Sequence, residues 1–357
     1  MTHRQRFQAL MLYQPIDQLP VVAMEPWEND TLARWRGEGL PADADPVAAL
    51  GMCNWHRFYT HMGPIPSFPR RVLFEDETTI VETDGLNTTV RRLKSNPSMY
   101  YGHIDHPVKT MADWLEYKKR LDPHSPGRLT ADTAAWIEQL NASADPVGWS
   151  LYPFFFRMGF YLMGMDRFLT AFYDEPPLIH DFFAHWAYFF SEHLTWVLPK
   201  LQLDWVDFAE DLAFKSAPHI SPAVYQEFWL PHQVPIIQQL QAAHVPVIAE
   251  YTAGNIECLL PVLLDHGINA AWTLEQQAGM DPVKLRQRFG RRLGLGGGFP
   301  KEALIAGPAA IDREIARLLP LIRAGGYLPA CDDMVPPEVS WETYRYYIRA
   351  MQAIRLT

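Results

Sequence analysis

The residues able to do chemistry in this chain gather where short apolar runs end. Trp205-Val-Asp-Phe-Ala is followed by Glu210-Asp211 and then Lys215, and Val245-Pro-Val-Ile-Ala by Glu250-Tyr251-Thr252. Ile268 to Leu274 leads into Glu275, Tyr327-Leu-Pro-Ala into Cys331-Asp332-Asp333, and Leu19 to Met24 into Glu25-Pro26-Trp27-Glu28. Carboxylates in such places can hold or deliver a proton, and carboxylates with a thiolate can ligate zinc. Adjacent acids such as Glu210 and Asp211 repel each other unless a cation or protonation intervenes. A single acid such as Glu275 or Glu28 can equally cap the helix that follows.

Those runs imply the scaffold. Each is short and apolar, and each is followed by a helical pattern with an explicit start. Ser221-Pro222, Asp281-Pro282 and Ser340 supply N-caps, and Gly267 and Gly325-Gly326 supply stops. Strand–helix alternation implies parallel strands with crossover helices. Seven strands are visible, the remaining two at 148–153 and 292–299, and an eighth is expected within the first 150 residues. The pattern predicts an α/β fold, a TIM-type (β/α)8 barrel formed by one domain over residues 1–357. In such a barrel ligands bind at the C-terminal strand ends, where the acids collect. Residues 71–94 break the rhythm. They alternate polar and β-branched residues around Asp84-Gly85 and predict an antiparallel hairpin excursion.

Composition narrows the partners. Lys and Arg number 31 and Asp and Glu 41, a net charge of −10, which disfavours nucleic acid. The most apolar stretch, about 147–165, is interrupted by Pro153, Arg157 and glycines, so no membrane span is expected. Cys53, Cys258 and Cys331 are too few and too scattered for a disulfide framework, and a cytoplasmic protein is expected. Cys258 reads as core within a helix, and Cys53 carries no motif. Of the histidines, His185 and His193 read as packing residues, and the loop pair His103 and His106 as structural or solvent-facing. Aromatic residues make up 13% of the chain. Most must fill the core, but Trp27, Tyr251 and Phe154 to Phe156 fall at strand ends, where a flat apolar ligand could lie.

The sequence also resembles the uroporphyrinogen decarboxylase superfamily, in its decarboxylase-like and corrinoid-dependent methyltransferase branch. The matching stretches run in order along the chain. They include Asp17-Gln-Leu-Pro-Val-Val, Met163-Gly-Met-Asp-Arg-Phe-Leu-Thr-Ala-Phe-Tyr-Asp-Glu-Pro, Glu210-Asp-Leu-Ala-Phe-Lys, His219-Ile-Ser-Pro, Gly297-Gly-Phe-Pro-Lys and Gly325-Gly-Tyr-Leu-Pro. The resemblance implies a TIM-type barrel. In place of the arginine-rich element that grips a porphyrinogen's carboxylates, this chain has Met24-Glu25-Pro26-Trp27-Glu28. An octa-acid would meet repulsion there. In the methyltransferase branch, a His-x-Cys pair and a later Cys bind zinc. Cys331 matches the later Cys, and Glu250 falls near the histidine's place, with the Cys of the His-x-Cys pair absent.

The resemblance therefore implies a methyltransferase of a corrinoid-linked demethylation system. It would move a methyl group from a small, possibly methoxyaromatic, substrate to a corrinoid protein. Glu210, Asp211 and Lys215 are the expected catalytic residues. Trp27, Glu25, Tyr251, Phe155 and Arg157 are the expected substrate contacts, and Glu250 with Cys331 the expected zinc ligands. Decarboxylation of another small acid is the alternative, with Lys215, Arg157 or Arg34 binding the carboxylate. A non-catalytic binding protein on the same scaffold is a third possibility.

Overall fold

The computed structural model describes residues 1–356, without the side chains of 96–101 and 131. Eleven strands fall into two sheets. In chain order they are β1 (His56–Phe58), β2 (Arg71–Glu75), β3 (Thr79–Thr83), β4 (Thr89–Leu93), β5 (Asn96–Asp105), β6 (Val147–Leu151), β7 (Trp205–Ala209), β8 (Val247–Tyr251), β9 (Ala270–Trp272), β10 (Gly294–Phe299) and β11 (Tyr327–Cys331). Seven form one parallel ladder in the order β1-β6-β7-β8-β9-β10-β11. A helix follows each of the strands from β6 onward and covers the outside of the curled sheet.

The expected eighth strand in the first 150 residues is β1. The ladder itself is not a closed eight-stranded barrel, because the stretch from Leu19 to Met24 pairs only through one bridge, Val22 to Cys53. Pro20 has no N–H to donate, which limits what that stretch can pair with. The predicted hairpin is larger than expected. It is the central β3–β4 pair of an antiparallel sheet in the order β2-β3-β4-β5. Its turn forms because the Asp84 carboxylate accepts from the N–H groups of Leu86 and Thr88, at 2.9 and 3.0 Å. No helix among the described residues is long and apolar enough to cross a membrane.

Aromatic residues build both layers. Trp55 stacks on Trp205 at 4.6 Å, and Trp272 meets both edge-on at 5.4 and 5.0 Å. This indole plug requires glycine on the neighbouring strand, since a Cβ at Gly148 would fall 1.9 Å from the Trp205 ring. Outside the sheet, Phe154, Phe155, Phe182, Phe183 and Trp229 pack together, all but fully buried. The expected N-caps form: Ser221, Asp281 and Ser340 each accept from N–H groups of the first turn.

Candidate functional site

Strand alternation sorts the acids into two environments. Parallel pairing places Ser150, Asp207 and Ala249 in one row, and Ala209 and Tyr251 in another on the same face. This face carries the Trp205 plug and therefore points into the barrel. The intervening row, Leu151, Phe208 and Glu250, points toward the helices, where Phe208 packs on Phe154.

Five chain segments bring side chains together inside. Asp207 is fully buried, and its Oδ1 accepts from the Ser150 hydroxyl at 2.5 Å while Oδ2 has no partner among the described residues. Burial pushes its pKa up to about 7, although Arg57 and the Ser150 hydrogen bond pull it down. Arg57 comes from β1 and lies 3.7 Å from the Glu25 carboxylate and 5.4 Å from the centre of the Tyr251 ring. The Tyr251 hydroxyl donates to Glu25. Burial raises Glu25, with Arg57 and Tyr251 opposing it. The result is a connected set of two carboxylates, one guanidinium, one phenol and one hydroxyl.

Above this set, the rim cations are matched to acids. Arg157 pairs with Asp211. Lys301 binds Asp333 at 2.7 Å and approaches Glu275 at 4.0 Å. Burial would lower Lys301, but Asp333 holds it above its ordinary value. Burial raises Asp211, with Arg157 pulling it back and Asp333 and Glu275 adding repulsion. The mouth is thus crowded with carboxylates, and its cations are already engaged within the chain.

A side cleft opens from the mouth toward the antiparallel sheet. It encloses about 220 Å³ and is lined by Tyr152, Tyr161, Met158, Met62, Thr88 and His103 among others. The Tyr152 and Tyr161 hydroxyls are 2.8 Å apart, and Arg157 donates to Tyr161 at 3.3 Å. Tyr152 follows Ser150 by two positions, a rise of about 7 Å along an extended chain.

The expected site residues divide accordingly. Glu25, Tyr251, Arg157 and Asp211 lie in the mouth as expected. Glu210 does not. Its carboxylate accepts from the N–H groups of Phe156 and Arg157 at 2.8 and 3.2 Å and from the Trp229 indole at 3.3 Å. It anchors the start of the helix Phe155–Met163, and burial pushes its pKa up to about 8. Lys215 stands exposed on the loop between Ala213 and Pro218, which bridge to each other. Phe155 is fully buried between Phe154 and Phe183, and Trp27 packs edge-on to Trp35 and Tyr344, so both belong to packing layers.

The expected zinc pair is not assembled. Glu250 faces the helices, is fully buried, and has no hydrogen-bond partner for either oxygen among the described residues. Burial, with Glu210 and Asp207 nearby, raises it well above the carboxylate range. Cys331 is three strands away in the ladder, and strands sit about 4.8 Å apart. It shares its row with Phe299, whose ring packs on Tyr347 of the last helix, Trp341–Gln352. Burial also raises the Cys331 thiol, reinforced by Asp332 and Asp333. Zinc ligation by Glu250 and Cys331 together does not fit this arrangement.

Sequence reasoning missed Asp207, Arg57 and Lys301. Asp207 sits inside an apolar strand, where a single acid between Val206 and Phe208 was itself a signal, since a buried acid needs a reason. Arg57 belongs to a strand of only three residues. Cys258, expected in the core, is exposed. His193 and His185 are packing residues as expected, bonded to Thr60 at 2.7 Å and to the Leu121 carbonyl at 3.2 Å.

A curled parallel sheet with a helix layer outside and acids at its C-terminal rim defines a TIM-like α/β protein. Residues 84–354 match the uroporphyrinogen decarboxylase (URO-D) family, and the chain belongs to it. The uroporphyrinogen decarboxylase of Pseudomonas fluorescens strain SBW25 is 25% identical over 375 aligned positions, covering 98% of this chain and 96% of that protein. The uroporphyrinogen decarboxylase of Pseudomonas savastanoi pv. phaseolicola is likewise 25% identical, with the same shares covered. Among solved structures, a methyltransferase from Methanosarcina mazei superposes with a TM-score of 0.58 at 15% identity, covering 98% of both chains. That likeness concerns the fold.

Proposed function

We propose that this protein transfers a methyl group from a small, weakly charged methylated substrate, such as a methoxyarene, to a reduced corrinoid on a separate protein, in a cytoplasmic setting. One observation carries this reading: the cations of the mouth are neutralised by Glu25, Asp211 and Asp333 of the same chain. A porphyrinogen bearing many carboxylates would have to displace these acids and desolvate beside them. A neutral aromatic ring needs no such exchange and suits the tyrosine-lined cleft.

The chain's own contribution is a placed proton. When an aryl–O–CH3 bond breaks, the methyl carbon bonds to the acceptor's electron pair and the departing oxygen takes up a proton. The corrinoid supplies that electron pair. Asp207, with a pKa near neutrality and an Oδ2 that has no partner among the described residues, holds the proton in the barrel interior. Ser150 fixes the carboxyl through Oδ1. Arg57 stabilises the carboxylate left after transfer, and Glu25 with Tyr251 holds Arg57 in place. Arg157, braced by Asp211, borders the ring-binding cleft through Tyr161. Protonation by Asp207 serves where a Lewis acid would otherwise act on the oxygen.

The curated relatives' shared name favours decarboxylation of a small acid as the second reading. In it Asp207 would protonate the carbon that loses CO2, and Arg57 would orient a single carboxylate. The test is purified protein with a Co(I) corrinoid protein and a panel of methoxyarenes, assayed for methylated corrinoid and, separately, for CO2 from small acids and from uroporphyrinogen. Methyl transfer is the expected outcome. CO2 release without corrinoid would replace the first reading with the second.

A further inference from the structure

A second cluster of metal-ligating side chains lies at the opposite end of the barrel. His3, Cys53 and Asp145 come from three distant parts of the chain, yet one ligand atom of each lies within 4.8 Å of the others. His3 begins the first helix, His3–Met11. Cys53 is the residue that bridges to Val22 before β1, and Asp145 lies two residues before β6. Cys53 and Asp145 precede β1 and β6, and His3 bonds Asp145, which puts the cluster on the N-terminal side of the sheet. In this architecture, that side carries stability and not catalysis.

We propose that His3, Cys53 and Asp145 bind one zinc ion that fastens the N-terminal helix to the floor of the barrel. The donor set is one imidazole nitrogen, one thiolate and one carboxylate, which suits tetrahedral zinc better than calcium or magnesium. His3 Nδ1 and Asp145 Oδ1 are 2.6 Å apart, and the Cys53 sulfur is 3.6 Å from the same oxygen. Cys53 is 2% exposed, and its sulfur also approaches the Asn54 carbonyl at 3.7 Å. A buried thiol aimed at a carboxylate gains little from so long a hydrogen bond.

Supporting contacts around the ligands favour the same conclusion. Asn54 donates to the second Asp145 oxygen at 2.7 Å and leaves Oδ1 to face His3 and Cys53. Arg6, the nearby cation, is held by Asp17 through two hydrogen bonds of 2.7 Å each. His3 and Asp145 remain 39% and 17% exposed, which gives an ion a route in and water the fourth position. Binding converts the Cys53 thiol to a thiolate–zinc bond and releases one proton to solvent. Oxidation state does not change.

The test is zinc titration of metal-stripped full-length protein against a chromophoric chelator, with cobalt(II) as a spectroscopic probe. The expected result is one zinc bound per chain and a thiolate-to-cobalt charge-transfer band. Both should be lost in Cys53→Ser and in the surface variant His3→Ala, and both retained in Cys331→Ala. Asn54→Ala should weaken binding about 10–100-fold. Zinc should raise the melting temperature of the wild type but not of His3→Ala. The inference is overturned if no stoichiometric zinc binds, if binding survives in both Cys53→Ser and His3→Ala, or if only Cys331→Ala abolishes it. None of these readouts depends on the methyl-transfer reading.

Discussion

Asp207 and Glu250 lie on adjacent strands, both fully buried and both with pKa values raised by burial, yet they differ in every other respect. Asp207 faces the barrel interior, where Ser150 holds one oxygen, Arg57 lies nearby and the other oxygen is free. Glu250 faces the helix layer and, among the described residues, has no hydrogen-bond partner at either oxygen. The register pairs Asp207 with Ala249 and Glu250 with Phe208, so a single residue step along the strand separates the two settings. Burial alone thus raises the pKa of a carboxyl group. Chemistry also requires an oriented oxygen, an unengaged oxygen beside it and a cation to receive the charge. Only the inward row has all of these.

The largest expected effect breaks the comparison at Asp207. Asp207→Asn keeps the Ser150 hydrogen bond but cannot deliver the same proton, so turnover should fall about 10²–10⁴-fold in a variant that stays folded. Glu250→Gln, assayed beside it, should leave turnover near the wild-type value. Next comes stability. Replacing Glu250 by Met removes a buried carboxyl with no partner and should stabilise the protein by about 1–3 kcal/mol in denaturant unfolding. No such gain is expected for Asp207→Met, which strips Arg57 of a neighbouring acid.

Smaller effects sharpen the contrast through pH. Asp207 and Glu210 have folded-state pKa values of about 7 and about 8, above their unfolded values near 4. Between those limits the folded chain binds more protons than the unfolded chain, so stability should fall as pH rises from about 4 toward 8. Asp207→Asn and Glu210→Gln should each flatten that slope, as read by melting temperature across the range. The smallest expected change is a loss of about 1 kcal/mol in Glu210→Ala, offset by relief of the buried acid. It removes the acceptor that caps the helix Phe155–Met163.

Much of the scaffold was legible because its signals are local. Ser221-Pro222, Asp281-Pro282 and Ser340 start helices where caps are needed, and the apolar runs before Glu210, Glu250 and Cys331 are strands. The early segment was less legible. β1 has three residues, and the stretch from Leu19 to Met24 keeps only one bridge, so neither carries a full strand pattern. The candidate site was half legible. Glu25, Tyr251, Asp211 and Arg157 follow the rule that ligands bind at C-terminal strand ends. Glu210, Glu250, Phe155 and Cys331 obey the same rule and still face the helices, because position along a strand does not fix its facing. Facing follows from pairing register, and register depends on which neighbouring strands exist. Asp207 escaped notice because it precedes the strand end, inside a run that reads as core.

The central claim is that Asp207 supplies the proton for methyl transfer. Its most direct test is the pH dependence of single-turnover methyl transfer from a methoxyarene to Co(I) corrinoid protein, in the wild type and in Asp207→Asn. The account predicts a wild-type rate that declines as pH rises through about 7, following the Asp207 carboxyl, and a slow, pH-independent rate in the variant. A variant that keeps the wild-type rate and the same decline would contradict it.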